Sequence, residues 1–237
     1  MKLKDATILF VEDEPFLRES MGAWLEKRAG RAICAEHGEA ALAIVGANKV
    51  DLVVSDVRMP VMDGIALLES LRRAEPRPRV ILITGFSDLS LREAYEMGAD
   101  AIVEKPINRD ELLRAVEHSL AEPEELWRQS APPGAAATLR VNFRSLAAAL
   151  QEKRIAFGRR GFFIKSSAAL REGPVDFAVE FATDRQVLSG QGIVRWTARG
   201  EGQAGIEIVR LDDACRSWAL DLLRQRPSVA YIPRLAA

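Results

Sequence analysis

Acidic, hydroxyl and ammonium side chains follow four separate apolar runs in the first half of this 237-residue chain. In chain order they are Glu12 and Asp13, Asp56, Thr84 and Lys105. Short apolar runs bounded by turn residues are typical of buried strands. Open α/β sheets place their ligands at the carboxyl ends of such strands, so these side chains are expected to converge at one sheet edge. A nucleophilic carboxylate beside an ammonium group and two further acids predicts a phosphoryl-accepting aspartate, Asp56.

The segments between the apolar runs have the spacing of amphipathic helices. Pro15 suits the first turn of one helix, and Asn108 can cap the fifth. The fourth helix is expected to begin near Ser87 and Asp88. Together these β-α units predict a doubly wound parallel α/β sheet of the flavodoxin-like type over residues 1–122.

Residues 1–122 resemble the receiver domain of two-component response regulators. The resemblance rests on five signals in a fixed order, which are Glu12-Asp13, Asp56, the turn from Met59-Pro60 to Asp63-Gly64, Thr84, and Lys105-Pro106. It implies that Asp56 receives a phosphoryl group from the phosphohistidine of a histidine kinase or phosphotransfer protein. The domain is therefore expected to be a phosphoacceptor and not an enzyme with a separate catalytic output.

Three acids at one sheet edge repel one another unless a divalent cation lies among them, and an all-oxygen site suits Mg²⁺. By the resemblance, Asp13 and Asp56 coordinate the ion directly together with the backbone carbonyl of Arg58. Glu12 then acts through a water molecule. Receivers usually carry an aspartate at the position of Glu12, so this ligand is one methylene longer than usual.

The resemblance also gives roles to two residues outside the acidic group. Lys105 is expected to balance the charge of the phosphoryl group, and the Thr84 hydroxyl to bond one of its oxygens. Receivers commonly carry an aromatic residue three positions before the lysine, where this chain has Ile102. A β-branched aliphatic side chain has few rotamers and no polar tip. Phosphorylation is therefore expected to act on the neighbouring loops and the fourth helix through Thr84.

Charge and composition separate the two halves of the chain. Residues 1–122 carry more acidic than basic side chains, whereas residues 123–237 carry more basic ones, and the whole chain has a net charge of −1. The basic half can favour an anionic ligand or complement the acidic half. Cys34 and Cys215 show no metal-binding spacing and are interpreted as reduced thiols. Charged residues near the start and the lack of a long apolar run predict a cytoplasmic protein without membrane insertion.

The second half of the chain is predicted to form a linker followed by a β-rich domain. Residues 123–138 are rich in proline, glycine and alanine and predict a linker, with Trp127 as an apolar exception. Residues 139–237 are interpreted as a second domain, with a short helix over 144–153 and a closing helix from Asp212. Strict alternation places one set of apolar residues on a single face, namely Val175, Phe177, Val179 and Phe181. Short strands with glycine-bearing turns predict a small antiparallel β-barrel.

This second domain resembles a PilZ domain, a small barrel known for binding cyclic di-GMP. The shared features are the Gly173-Pro174 turn, the run from Gly192 to Trp196, and a Gly-Ile-Glu-Ile strand beginning at Gly205. The resemblance implies a ligand pattern that is incomplete here, because Ala156 stands in place of an acid or amide and Gly158 in place of a serine. The candidate ligand-binding residues are Arg140, Arg144, Arg154, Arg159 and Arg160.

A solvated or protein-contacting role is favoured for these arginines, so cyclic di-GMP is not expected to bind. The favoured function is a response regulator whose degenerate PilZ-like module contacts a downstream protein. The alternative is a dual-input sensor that also binds cyclic di-GMP in its barrel. DNA binding is not expected, since the region lacks two adjacent helices with basic recognition residues.

Overall fold

The computed structural model describes residues 1–74, 76–85, 90–122, 125, 127–128, 137–198, 202–226, 228 and 230–233. The chain forms two compact units, Met1–Glu122 and Pro123–Ala237. Both cysteines are free thiols; Cys34 is exposed and Cys215 is buried. None of the described helices has the length and hydropathy needed to cross a lipid bilayer.

The first unit is built on a parallel sheet of five strands. They are β1 (Thr7–Val11), β2 (Arg31–Ala35), β3 (Leu52–Asp56), β4 (Arg79–Thr84) and β5 (Ala101–Glu104). The order across the sheet is β2-β1-β3-β4-β5, with every neighbouring pair parallel. This confirms the predicted flavodoxin-like sheet. It also brings the carboxyl ends of β1, β3, β4 and β5 to one edge.

An α-helix follows each of these strands, and a short 3₁₀ turn at Leu3–Asp5 precedes β1. The helices are α1 (Pro15–Glu26), α2 (Gly38–Ala47), α3 (Gly64–Leu71), α4 (Leu91–Met97) and α5 (Arg109–Leu120). Asn108 caps α5 as predicted, since its side chain accepts from two backbone N–H groups. Helix α4 begins later than predicted because Ser90 forms a capping box with Glu93. Ser87 and Asp88 lie outside the described residues.

The central strands bury side chains on both faces, as a parallel sheet covered by helices requires. In β1, Ile8 and Phe10 belong to one apolar cluster with residues of α1 and α5. Leu9 and Val11 belong to a second cluster with residues of α2 and α3. Each fully buried aliphatic or aromatic side chain contributes about 1.5–3 kcal/mol. The edge that carries the polar residues is thereby fixed to a rigid support.

The second unit is a curled, six-stranded mixed sheet with the order β6-β9-β10-β11-β8-β7. Its strands are β6 (Ala137–Phe143), β7 (Ile155–Phe157), β8 (Gly161–Lys165), β9 (Gly173–Phe181), β10 (Gln186–Ala198) and β11 (Gln203–Leu211). Helix α6 (Leu146–Gln151) follows β6, and α7 (Asp213–Gln225) follows β11. The four apolar side chains of the alternating run in β9 are all buried, as predicted.

The prediction of a wholly antiparallel barrel was wrong in one respect, because β6 pairs with β9 in parallel. Strand β6 also begins inside the segment predicted to be a linker. Its side chains alternate between buried Leu139, Val141 and Phe143 and exposed polar neighbours, a period of two that the sequence interpretation missed. Trp127, from the same predicted linker, is fully buried and donates its indole N–H to the carbonyl of Ile208 at 3.1 Å.

Candidate functional site

A buried ion pair lies at the centre of the polar edge of the first unit. Asp56 is the last residue of β3 and only 4% of its surface is exposed. Lys105, just beyond β5, places its Nζ atom 2.6 Å from Asp56 Oδ2. Partial burial alone would lower the pKa of Lys105, but the hydrogen bond and charge of Asp56, together with the charge of Glu12, raise it above its ordinary value. Lys105 therefore stays charged and neutralises the buried carboxylate.

Glu12 is the second buried acid of the site, with 1% of its surface exposed. Its Oε2 atom lies 3.6 Å from Lys105 Nζ and accepts no hydrogen bond within the described part of the chain. Burial raises the pKa of the Glu12 carboxyl, and the charge of Asp56 raises it further, although Lys105 opposes both effects. Glu12 is thus a carboxylate whose charge is incompletely compensated.

One oxygen from each of Glu12, Asp13 and Asp56 lies within 4.8 Å of the others. Asp13 is exposed and lines a surface cavity together with Arg58, whose backbone carbonyl is the fourth predicted ligand. An all-oxygen donor set, containing one buried carboxylate oxygen without a hydrogen-bond donor, fits a hard divalent cation such as Mg²⁺. The three predicted carboxylate ligands are therefore brought together, and the chemistry of the group suits the predicted ion.

The turn from Met59 to Gly64 follows Asp56 at the end of β3, and Met59, Pro60 and Asp63 of this turn line the cavity. Asp63 caps α3, its side chain accepting from the backbone N–H of Ala66 at 2.8 Å. The next residue, Gly64, donates its N–H to the carbonyl of Val57 at 2.9 Å. These two bonds fold the segment after β3 back over the end of the strand. The Asp-Gly pair is therefore part of the support of the phosphoacceptor candidate and not simply a turn on the surface.

Thr84 ends β4, directly after Ile83, which is the register partner of Asp56. Its hydroxyl donates to the carbonyl of Gly85 at 2.9 Å. In this structure, that hydrogen bond does not direct the hydroxyl toward the place of a phosphoryl group on Asp56. The Thr84 carbonyl accepts from the N–H of Lys105 at 2.9 Å, which couples the ends of β4 and β5. Ile102 packs against the apolar cluster on the α2 and α3 side.

Arg18 is a residue of the site that sequence reasoning missed. Its Nη1 atom donates to the carbonyl of Glu12 at 2.8 Å and to the carbonyl of Asp13 at 2.9 Å. The partners are backbone atoms, so no pattern of side-chain types in the sequence signals the interaction.

The five arginines singled out in the second unit do not share one surface. Arg140 and Arg144 are exposed, whereas the guanidinium groups of Arg154 and Arg159 lie over the rings of Phe143 and Tyr231, at 4.9 Å and 5.9 Å from the ring centres. Arg160 is buried, with 1% of its surface exposed. We predicted one solvated or protein-contacting face for all five arginines. In the structure two of them are exposed, two lie over aromatic rings, and one is in the interior.

The model of the response regulator receiver domain family matches residues 8–117. The transcriptional regulatory protein GlrR of Escherichia coli (strain K12) is 31% identical over 135 residues, which are 55% of this chain and 30% of GlrR. A cyclic di-GMP phosphodiesterase of Thermotoga maritima is 33% identical over 115 residues, 48% of this chain and 31% of that protein. This chain therefore spans less than a third of either relative.

Among solved structures, a putative response regulator from Chloroflexus aurantiacus J-10-fl is 29% identical and covers 50% of this chain and 99% of its own, with a TM-score of 0.46. The family match lies within the first unit, and the parallel sheet with its acidic edge is the structure that the match implies. Residues 8–117 of this chain are a response regulator receiver domain.

Proposed function

We propose that Asp56 accepts a phosphoryl group from the phosphohistidine of a histidine kinase or phosphotransfer protein. The observation that carries the proposal is the contact of 2.6 Å between Lys105 Nζ and Asp56 Oδ2, within a pocket that also holds Glu12 and Asp13. A nucleophilic carboxylate, a fixed cation and two further acids are the groups that phosphoryl transfer to an aspartate requires.

In the proposed reaction a carboxylate oxygen of Asp56 forms a bond to phosphorus while the phosphorus–nitrogen bond of the donor breaks, and its electron pair stays with the imidazole. The product is an acyl phosphate whose phosphoryl group carries about 1.5–2 negative charges, in place of the single charge of the free carboxylate. Lys105 is positioned to hold part of that charge. A Mg²⁺ ion held by Asp13, Asp56, the Arg58 carbonyl and, through water, Glu12 would screen the remaining repulsion between the acids and the phosphoryl oxygens.

The proposed signal begins at Thr84. To bond a phosphoryl oxygen, its hydroxyl has to leave the carbonyl of Gly85, where it donates at 2.9 Å. That change alters the end of β4, and α4 is the next described helix along the chain. Because Ile102 has no polar group, the proposed signal does not depend on rotation of an aromatic side chain at that position.

We propose a degenerate PilZ-like module as the output unit, acting through contact with a downstream protein. Gly158 stands where the resemblance calls for a serine, and a Cβ atom added there would meet the carbonyl oxygen of Tyr231 at 2.3 Å. The chain's own C-terminal segment therefore takes the space that a serine side chain needs. Arg160 is buried beside it and cannot reach an external phosphate without rearrangement. These observations favour a protein ligand over cyclic di-GMP.

The arrangement of helices also favours a protein ligand over DNA. In the second unit, α6 and α7 are separated by five strands along the chain. Recognition of a major groove by a helix-turn-helix module needs two adjacent helices, the second of which carries basic residues to the bases.

Labelling with acetyl phosphate and Mg²⁺ tests the first part of the proposal. Mass spectrometry is expected to find one phosphoryl group on Asp56, and Asp56→Asn is expected to abolish it. Asp110→Asn, at an exposed position in the first turn of α5, is the matched control and should label like the parent. Equal labelling of Asp56→Asn and the parent would contradict the assignment.

Lys105→Ala separates phosphorylation from its readout. The side chain lies at the sheet edge and is about one-third exposed, so the fold is expected to persist. Hydrogen exchange of α4 is expected to change less on phosphorylation in this variant than in the parent. The same change in both proteins would reduce Lys105 to a structural role.

Calorimetry on the full chain tests the proposed absence of cyclic di-GMP binding at physiological salt. No isotherm is expected at low micromolar ligand. A stoichiometric isotherm that Arg140→Ala or Arg144→Ala abolishes would instead support the dual-input sensor.

A further inference from the structure

The side chain of Arg18 joins two consecutive backbone carbonyls at the acidic edge of the receiver domain. Arg18 lies in the first turn of α1, where its own N–H donates to the carbonyl of Glu14 at 2.9 Å. Its Nη1 atom donates to Glu12 O at 2.8 Å and to Asp13 O at 2.9 Å. In an extended chain consecutive carbonyls point to opposite sides, so one donor reaches both only where the backbone bends.

The two acidic side chains that project from this bend differ in their burial. The Glu12 carboxylate runs into the interior, within 3.6 Å of Lys105 Nζ, whereas Asp13 stays exposed and lines the cavity beside Arg58. Despite this difference in burial, their oxygens and an oxygen of Asp56 lie within 4.8 Å of one another. A change in the peptide between Glu12 and Asp13 would move both carboxylates relative to Asp56.

We propose that Arg18 is a positioning residue for the divalent cation, because it fixes the backbone from which Glu12 and Asp13 project. This inference rests on the proposed metal-assisted phosphoacceptor site. Charge-assisted hydrogen bonds are the stronger kind and are well suited to this task. Groups that orient metal ligands without contacting the ion typically change metal affinity by about 10–100-fold when they are removed.

Two other roles for Arg18 predict different effects of its removal on Mg²⁺ affinity. If the guanidinium acted mainly as a positive charge near the cation, its removal would tighten Mg²⁺ binding, because like charges repel. If it served only to pack α1, its removal would lower the unfolding temperature and leave Mg²⁺ affinity unchanged. The positioning role alone predicts weaker Mg²⁺ binding at an unchanged metal stoichiometry.

Arg18→Met removes the guanidinium and keeps an unbranched stem, whereas Arg18→Lys keeps a charge that donates from a single point. Arg28→Met is the matched control, because Arg28 lies just beyond the same helix and also donates its Nη1 to a carbonyl, that of Trp24 at 3.0 Å. Its guanidinium lies over the ring of Trp24, away from the acidic pair.

The test is a Mg²⁺ titration of the full-length parent and variants by calorimetry, followed by acetyl phosphate labelling at limiting and saturating Mg²⁺. Arg18→Met is expected to raise the Mg²⁺ dissociation constant about tenfold, with Arg18→Lys intermediate and Arg28→Met like the parent. The labelling rate of Arg18→Met should approach that of the parent at saturating Mg²⁺.

An unchanged or lower dissociation constant in Arg18→Met would overturn the inference, as would a parent that binds no Mg²⁺. If Arg18→Met does not fold, the comparison of Arg18→Lys with the parent decides the question by the same measurement. A parent that binds Mg²⁺ but is not labelled at Asp56 would contradict the proposed function. The titration would still decide the role of Arg18.

Discussion

Gly64 packs directly against the backbone of Asp56. A Cβ atom built on Gly64 would lie 2.1 Å from the carbonyl oxygen of Asp56 and 3.1 Å from the hydroxyl of Ser55. The first of these distances is to a backbone atom that a rotamer change cannot move. Helix α3 therefore begins as close to the phosphoacceptor candidate as a residue without a side chain allows.

Gly64→Ala is expected to destabilise the receiver domain by about 1–3 kcal/mol, the usual cost of overpacking, and to slow labelling of Asp56. The control is Gly46→Ala in α2, where an added Cβ meets no atom within 4 Å. That change should stabilise the domain by about 0.5–1 kcal/mol, because alanine is the better helix former. Urea denaturation measures both, and equal stabilities for the two variants would contradict the close approach at Gly64.

Val61, in the turn from Met59 to Gly64, has a backbone φ of 67° although it is β-branched. A left-handed conformation costs a residue with a Cβ about 1–2 kcal/mol, and glycine adopts it readily. Because 70% of Val61 is exposed, its replacement loses little buried apolar surface. Val61→Gly is therefore expected to increase the free energy of unfolding by up to about 1 kcal/mol. Val187→Gly, in the extended strand β10, should instead lower it, and a destabilised Val61→Gly protein would contradict the prediction.

The fold of the receiver half could be predicted from the sequence because the signals that indicate each strand lie within a few consecutive residues. Apolar runs of four or five residues ended in turn residues, and parallel topology then brought those ends together. The rule that parallel strands end at one sheet edge predicted that Asp56 and Lys105 lie close together. That prediction did not require knowing which strands pair. The start of α4 was missed because the capping box of Ser90 and Glu93 was overlooked, although it is itself a local signal.

The second unit was harder to predict because its defining features depend on distant partners. The alternation in β6 could have been read, but its parallel pairing with β9 joins residues about forty positions apart and has no local signature. The burial of Arg160 likewise depends on residues far along the chain, since its N–H donates to the carbonyl of Tyr231. Arg18 was missed for a different reason, because its partners are backbone carbonyls.

Glu12→Gln is expected to stabilise the metal-free protein at neutral pH. Burial and the charge of Asp56 raise the pKa of Glu12 in the folded state, so folding favours the protonated form. The stability that protonation of Glu12 gives the folded protein is fully present below the pKa of Glu12 in the unfolded state. It is lost as the pH rises through the pKa of Glu12 in the folded state. Glutamine does not ionise, so the variant should lack this loss. Lys105 keeps its closer partner Asp56, which limits the cost of removing the second acid.

Added Mg²⁺ should reverse the order of stability, because the parent gains more from binding a cation than a variant without the Glu12 charge. Thermal unfolding from pH 4 to pH 8, with and without Mg²⁺, measures both effects. Glu19→Gln, on the exposed part of α1, is the control and should follow the parent in each condition. A Glu12→Gln protein that is less stable than the parent in metal-free buffer at pH 7 would contradict the prediction.

Tyr231→Phe tests how the C-terminal segment is held on the second unit. The hydroxyl of Tyr231 donates to Oε1 of Glu207 at 2.5 Å, and Arg195 Nε donates to Oε2 of the same buried carboxylate at 2.5 Å. A hydrogen bond to a charged group contributes about 1.5–3 kcal/mol, so the variant should unfold its second unit at lower urea. Phenylalanine retains the buried ring, which confines the loss to the hydroxyl.

The segment is also paired through its backbone, because the N–H groups of Arg159 and Arg160 donate to the carbonyls of Ala230 and Tyr231 at 2.9 Å and 3.2 Å. Loosening Tyr231 should therefore accelerate hydrogen exchange at those two amides, while peptides from the receiver sheet exchange as in the parent and serve as the internal control. Unchanged exchange at both amides, together with an unchanged unfolding midpoint, would mean that the ring and Ile232, which is fully buried, suffice to hold the segment.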